Sequence, residues 1–190
     1  ALDHQLDAIG LVARPDELLR RFGILRFACP PELSVVRQVA GFPRVHSIAD
    51  PATPVTRPHP VAVTTQVADA RDILGVTPDM TQQFGDQATV AVLDTGVDLT
   101  HSALTRIASD DYRNFTNADD MDEEGHGMHV ASIAGGDDGA SGGRYSGVAP
   151  LCRLVAAKVI SGTGYGDLES VLRGMAWAVF EKNADVLSLS

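Results

Sequence analysis

Two histidines stand three residues apart in "GHGMHVASIAGG", residues 125–136, a run otherwise built almost wholly from small side chains. Three chemistries fit His126: a metal ligand, a packed core histidine, or the base of a proton relay. Zinc pairs on a helix usually come as H-E-x-x-H, four apart and with a general-base glutamate. Here the pattern is H-G-M-H with no third ligand in register, so no metal ligand is assigned. A relay needs an acid that holds one ring nitrogen, fixes the tautomer and stabilises the imidazolium. The other nitrogen is then free to take a proton from a nucleophile. Asp94 is the candidate acid. It closes the apolar run "ATVAVLD", residues 88–94, and Gly96 lets the chain turn away at once. A carboxylate buried at that point needs a hydrogen-bonding partner, because an unpaired buried charge is costly. Glycines on both sides of His126 leave the backbone bare, open to the approach of another chain or a substrate. Each residue alone also has a plainer reading, Asp94 as the cap of a turn and His126 as satisfied core. His129 reads as a packed, hydrogen-bonded histidine.

The elements that must position this pair follow from periodicity. Residues 88–94, 153–160 ("RLVAAKVI") and 184–190 ("ADVLSLS") are continuous apolar, β-rich runs, the pattern of strands covered on both faces. "HVASIAGG" reads as a helix of small residues. Leu168, Val171, Leu172, Met175, Val179 and Phe180 fall at helical spacing behind Asp167, a good N-cap. Strand, helix, strand with short joins makes a βαβ unit, and the fold class is α/β, a doubly wound parallel sheet. Such sheets place their sites at the carboxyl ends of strands.

Upstream of residue 50 lies a smaller unit. "AIGLVA", "ILRFAC" and "RVHSI" are strand candidates, with helices expected from Pro15 to Gly23 and from Pro31 to Gly41. This alternation predicts a small two-layer α+β module, ferredoxin-like in class. "DPATPVTRPHP", residues 50–60, carries four prolines and reads as an extended connector. The domains are therefore residues 1–57, module and linker, and residues 58–190.

Composition narrows the function classes. The 190 residues are 44% hydrophobic and carry a net charge of −10, which argues for a folded protein and against a nucleic-acid partner. No apolar run approaches the roughly 20 residues of a membrane span. Two cysteines, Cys29 and Cys152, make no disulfide framework and read as buried hydrophobes, as does Trp177. The acidic stretch "NADDMDEEG", 117–125, lacks an EF-hand spacing and reads as a solvated loop, and "GGDDGASGG", 135–143, as a flexible one.

The segments "AVLDTGVDLTHSAL", "DEEGHGMHVASIAGG", "YSGVAPLCRLVAAKVISGTGYGDLESVLRGMAWAV" and "ADVLSLS" together resemble the subtilisin-like serine proteases, over roughly residues 66–190. The chain order Asp, His, Ser is the known subtilisin order, not something the spacing establishes. The resemblance implies peptide-bond hydrolysis by an Asp-His-Ser triad with Asp94 as acid and His126 as base, acting on a protein or peptide substrate. It implies that Gly162, Gly164, Tyr165 and Gly166 form the edge that pairs with the substrate backbone, with Ser190 also in substrate binding. Residues 1–57 then resemble the family's propeptide, an inhibitory and folding unit of a zymogen. Departures from the family pattern are Met128 for a usual threonine, Ser132 for a usual glycine, and Ala103 where many members place a calcium-ligating aspartate. No cofactor is called for, and a structural calcium stays open. Nothing here matches the family's nucleophile segment or its oxyanion-hole asparagine, and Ser188 and Ser190 sit in a strand. The expectation is a fragment carrying Asp and His only, inactive alone, whose partner is the missing C-terminal segment of the catalytic domain. The alternative is a non-catalytic truncated relative serving as a binding or folding unit. A secreted protein is expected, although "ALDHQLDAIG" shows no signal peptide.

Overall fold

The computed structural model describes residues 2–14, 16–28, 33–43, 45, 49, 54–56, 75–83, 85–137 and 146–190. Two compact units divide the chain, Ala1–Thr53 and Pro54–Ser190.

The first unit runs α1 (Leu2–Asp7), β1 (Ala13–Arg14), α2 (Glu17–Arg21), β2 (Arg26–Phe27) and α3 (Leu33–Ala40). β1 and β2 pair antiparallel, with Ala13 opposite Phe27. Asp16 caps α2 by accepting from the Leu19 amide at 3.1 Å, as an aspartate at that position does. Leu6, Leu11 and Val39 form the core, with Leu2, Ile9, Phe27, Val35 and Phe42 packed around them. The expected strand "AIGLVA" is mostly something else. Leu2, Leu6 and Ile9 repeat at helical spacing, so the chain enters as a helix, and the turn at Gly10 (φ 76°) ends it before two extended residues follow. The unit is α+β. A ferredoxin-like arrangement needs four strands, of which two lie among the described residues. Most of "RVHSI", Cys29, Pro15 and Pro31 lie outside the described residues.

The second unit is built on a four-stranded parallel sheet of β4 (Thr89–Asp94), β5 (Tyr112–Asn114), β6 (Arg153–Lys158) and β8 (Val186–Leu189), in the order β5-β6-β4-β8. A separate antiparallel pair joins β3 (Pro54–Thr56) to β7 (Tyr165–Asp167). Among the described residues its α-helices are α4 (Pro78–Gln83), α5 (His126–Gly135) and α6 (Leu168–Phe180). From β4 the chain passes to the edge strand β5, steps back to β6 beside β4, and crosses through α6 to β8 on the other side of β4. Both faces are covered at β4 and β6, whereas β8, an edge strand expected to be covered as well, leaves Val186 and Leu189 exposed. Val92, Leu154 and Ala156 meet Ala131 of α5 on one face. On the other, Gly174 of α6 lies against Val159, Leu93 and Ala157. Alternate residues of each strand thus serve opposite faces, which is why the runs read as continuously apolar.

Trp177 is buried as expected, its ring edge-on to Phe115 with centroids 5.8 Å apart. Asp167 caps α6 as expected, accepting from the Ser170 amide at 2.7 Å. Cys152 is buried, and burial pushes its thiol pKa up. The connector at 50–60 lies outside the described residues except for Pro54–Thr56, which is extended. Much of the 135–143 loop also lies outside them. Among the described residues no helix is long and apolar enough to cross a membrane.

Candidate active site

Asp94 ends β4 at the carboxyl edge of the sheet, only 1% exposed. His126 is the first residue of α5, three residues earlier than the start of the expected helix "HVASIAGG". The two meet: His126 Nδ1 lies 2.7 Å from Asp94 Oδ1. A carboxylate only accepts, so the proton of this bond sits on Nδ1, and in the neutral ring Nε2 then carries the free lone pair. Asp94 Oδ1 also accepts from the Thr95 amide at 2.7 Å, which fixes the rotation of the carboxylate. Its Oδ2 has no donor among the described residues. His126 keeps 22% of its side chain exposed, so the ring is reachable from solvent while its acid is not. Such a pair can abstract a proton at Nε2 and hold the resulting imidazolium.

Further hydrogen bonds around the pair lock the frame. Thr95 Oγ1 donates to Asp122 Oδ1 at 2.8 Å and accepts from the Gly127 amide at 2.9 Å. Asp122 also accepts from the Gly125 amide at 2.9 Å and, on Oδ2, from the Met128 amide at 2.8 Å. Lys158, buried at the end of β6, donates to the Thr95 and Met121 carbonyls at 2.6 and 3.0 Å. Tyr112 Oη donates to the Asp120 carbonyl at 2.5 Å. Burial, with the Asp120 and Asp122 carboxylates nearby, pushes the Tyr112 pKa far up, so it remains a donor.

The two glycines flanking His126 have different jobs, and the open-backbone reading holds for one. Gly125 has φ 77°, a left-handed conformation that suits glycine, with open space where a side chain would go. Gly127 is buried, and a Cβ there would run into the Gly96 carbonyl. Its bareness serves the contact between α5 and the loop after Asp94, not the approach of a substrate. His129 is exposed rather than packed, because the helix face at that position turns away from the sheet. The acidic stretch 117–125 is partly exposed, as a solvated loop would be, but Asp122 within it is part of the frame.

The remaining predicted residues form a separate feature. Gly164 (φ 78°) makes the turn before β7, its amide donating to the Ser161 carbonyl at 2.9 Å. Ser161 returns from both its amide (2.8 Å) and its hydroxyl (2.7 Å) to the Tyr165 carbonyl. This turn presents Tyr165, 61% exposed, and Gly166. β3 lies along this edge, with Thr56 opposite Tyr165 and Val55 opposite Gly166. Gly162 packs under Glu123, where a Cβ would meet the carboxylate. Gly166 is bare for an internal reason: a Cβ would run into the Val159 carbonyl. Ser190 follows β8 at the carboxyl edge, exposed, with no side-chain hydrogen bond among the described residues. Ser188 lies within β8.

Among the described residues no three His, Cys, Asp or Glu side chains gather as metal ligands. Ala103 sits in a short 3-10 turn that His101 caps. The sequence reading missed Asp122, Thr95 and Lys158. Asp122 had a signal, an acid just before a helix start. Lys158 had none, since it closes an otherwise apolar strand.

A model of the subtilase family matches residues 85–190. The major intracellular serine protease of Bacillus subtilis is 38% identical over 113 residues, covering 56% of this chain and 34% of that protein. A cell wall-associated protease of the same organism is 38% identical over 106 residues, covering 53% of this chain and 11% of its own length. Among solved structures, a psychrophilic subtilisin-like protease from an Antarctic Pseudoalteromonas is similar at TM-score 0.47 and 20% identity, covering 63% of this chain and 28% of that one. The chain spans about a third or less of each of these relatives.

Proposed function

The chain belongs to the subtilase family, and on that premise we propose that Asp94 and His126 are the acid and base of a serine endopeptidase. The observation that carries this reading is the 2.7 Å contact between a fully buried carboxylate and a solvent-reachable imidazole at the carboxyl edge of a parallel sheet. In the reaction, Asp94 holds the Nδ1 proton and Nε2 takes the proton of a serine hydroxyl as its oxygen attacks the peptide carbonyl. The imidazolium, stabilised by Asp94, then returns that proton to the leaving amine. Ser188 is not assigned as nucleophile, because it lies within β8 and a strand does not present a hydroxyl on the sharp exposed turn that such a serine occupies, and Ser190, which directly follows β8, is not assigned either. The nucleophile and the oxyanion donors are therefore proposed to come from a further segment of the catalytic domain. The 190 residues alone are proposed to be inactive.

β7 is proposed as the substrate edge, with Gly162, Gly164, Tyr165 and Gly166 lining it, and Ser190, after β8, is proposed as a further substrate contact. Support comes from β3, which already adds to this edge as an antiparallel strand, the mode in which an extended peptide would bind. Residues 1–57 are accordingly proposed to act as a propeptide-like inhibitor whose end occupies the edge. A structural calcium is not assigned. Secretion is our proposal for compartment, supported by the cell wall-associated relative; the intracellular relative argues the other way, and cell fractionation decides.

The second reading is a non-catalytic binding or folding unit. An assay separates the two. Purified 190-residue chain should leave a chromogenic peptide uncleaved, and should gain turnover when the rest of a subtilase catalytic domain is supplied. Turnover by the chain alone that disappears in His126→Ala contradicts the proposed division of the site. Failure of every complemented form favours the binding unit.

A further inference from the structure

We propose that Asp122, acting through Thr95, is a positioning residue that keeps His126 in register with Asp94. The argument starts at the end of α5. The first amides of a helix have no partners within it, and here the N-cap is Gly125, which has no side chain to offer. Residues from elsewhere satisfy them. Gly127 N–H goes to Thr95 Oγ1, and Met128 N–H and Gly125 N–H go to the two oxygens of Asp122. His126 lies in the middle of these three amides, so its backbone is held from both sides.

Thr95 makes this clamp more than a helix cap. It is the neighbour of Asp94, and its amide holds the carboxylate oxygen that His126 uses. A hydroxyl has one proton. Donating it to Asp122 Oδ1 turns the lone pairs toward the Gly127 amide, so the acceptor role of Thr95 depends on the acceptor role of Asp122. Lys158 binds the carbonyls of Thr95 and of Met121, residues on the two loops that the clamp joins. The strand end that carries the acid and the helix start that carries the base are thus tied by one carboxylate and one hydroxyl. An asparagine at 122 cannot replace this, since one side of an amide donates and would face an N–H on either side.

This inference rests on reading His126 as a base held by Asp94, and its test reads the imidazole rather than turnover. The 190-residue chain is labelled with 15N-histidine, and the His126 tautomer and the exchange rate of its Nδ1 proton are measured at alkaline pH. The unsubstituted chain should show Nδ1–H with slow exchange. Asp122→Asn and Thr95→Val should exchange that proton at least about tenfold faster and shift toward the Nε2–H tautomer. Thr95→Ser, which keeps the hydroxyl, should match the unsubstituted chain. Asp120→Asn, a charge change two residues away, should also match it. If Asp122→Asn fails to fold by circular dichroism, the Thr95→Val and Thr95→Ser pair decides. Folded Asp122→Asn or Thr95→Val with unchanged tautomer and exchange overturns the inference, as does an equal effect from Asp120→Asn. An unsubstituted chain that already carries Nε2–H would instead sink the underlying reading of the pair.

Discussion

Gly127 lies so close to Gly96 that a methyl group on it would run into the Gly96 carbonyl and approach the Gly96 nitrogen to 3.0 Å. The helix that begins with His126 is thereby pressed onto the loop that leaves Asp94. The close approach works together with the hydrogen bonds of Thr95 and Asp122 to bring the base to the acid.

Gly127→Ala should therefore separate the two elements. Overpacking at a site with backbone on the far side costs about 1–3 kcal/mol, seen as a lower urea midpoint. Gly125→Asn should cost less, because its position is open and asparagine tolerates a left-handed backbone. Equal losses at the two positions would contradict the steric argument.

A second prediction concerns pH. Burial by itself would raise the Asp111 pKa, but hydrogen bonds from Arg153 (2.5 and 3.0 Å) and Lys182 outweigh it and hold the carboxyl below its ordinary value. A depressed folded pKa contributes stability that is complete above the unfolded value and is lost as pH falls through the folded one. The advantage of the unsubstituted chain over Asp111→Asn should be full from about pH 5 to 7 and shrink below about pH 4. Urea midpoints across that range check it, and a difference independent of pH would count against it.

Pairing of β3 with β7 should respond to one residue. Val55 lies opposite Gly166, and a proline at that position removes an N–H from the ladder. In Val55→Pro, amide exchange across Tyr165–Asp167 should accelerate by roughly tenfold or more, as expected for a lost pairing bond. The β4 amides should be unaffected. Unchanged β7 exchange would mean that β3 contributes nothing to the order of this edge.

Much of this was legible in the sequence because burial on both faces leaves a strong mark. Residues 88–94 and 153–160 read as strands for that reason, and α6 declared itself by its spacing and Asp167. Glycine context and a strand-end acid were enough to pair Asp94 with His126. Legibility failed where the signal is three-dimensional. "AIGLVA" has strand composition, yet Ile9 belongs to the stripe of Leu2 and Leu6 and packs on the Val39 core. His129 shares a helix with His126 but sits on its solvent side. Gly127 and Gly166 look like access points, and what they admit is the chain's own backbone. Asp122 looks like one acid of a solvated run, and only the fold shows the two amides and one hydroxyl it serves.

The central claim is that Asp94 and His126 do the acid–base work of peptide hydrolysis. The most direct measurement is kcat for a chromogenic peptide with the protein expressed from its whole gene, beside His126→Ala and Asp94→Asn. The account predicts turnover in the unsubstituted protein and a fall of about 10⁴-fold or more in each variant, with the double variant little worse than His126→Ala because the two residues act as a unit. Turnover that survives in His126→Ala, or variants whose losses simply multiply, would contradict it.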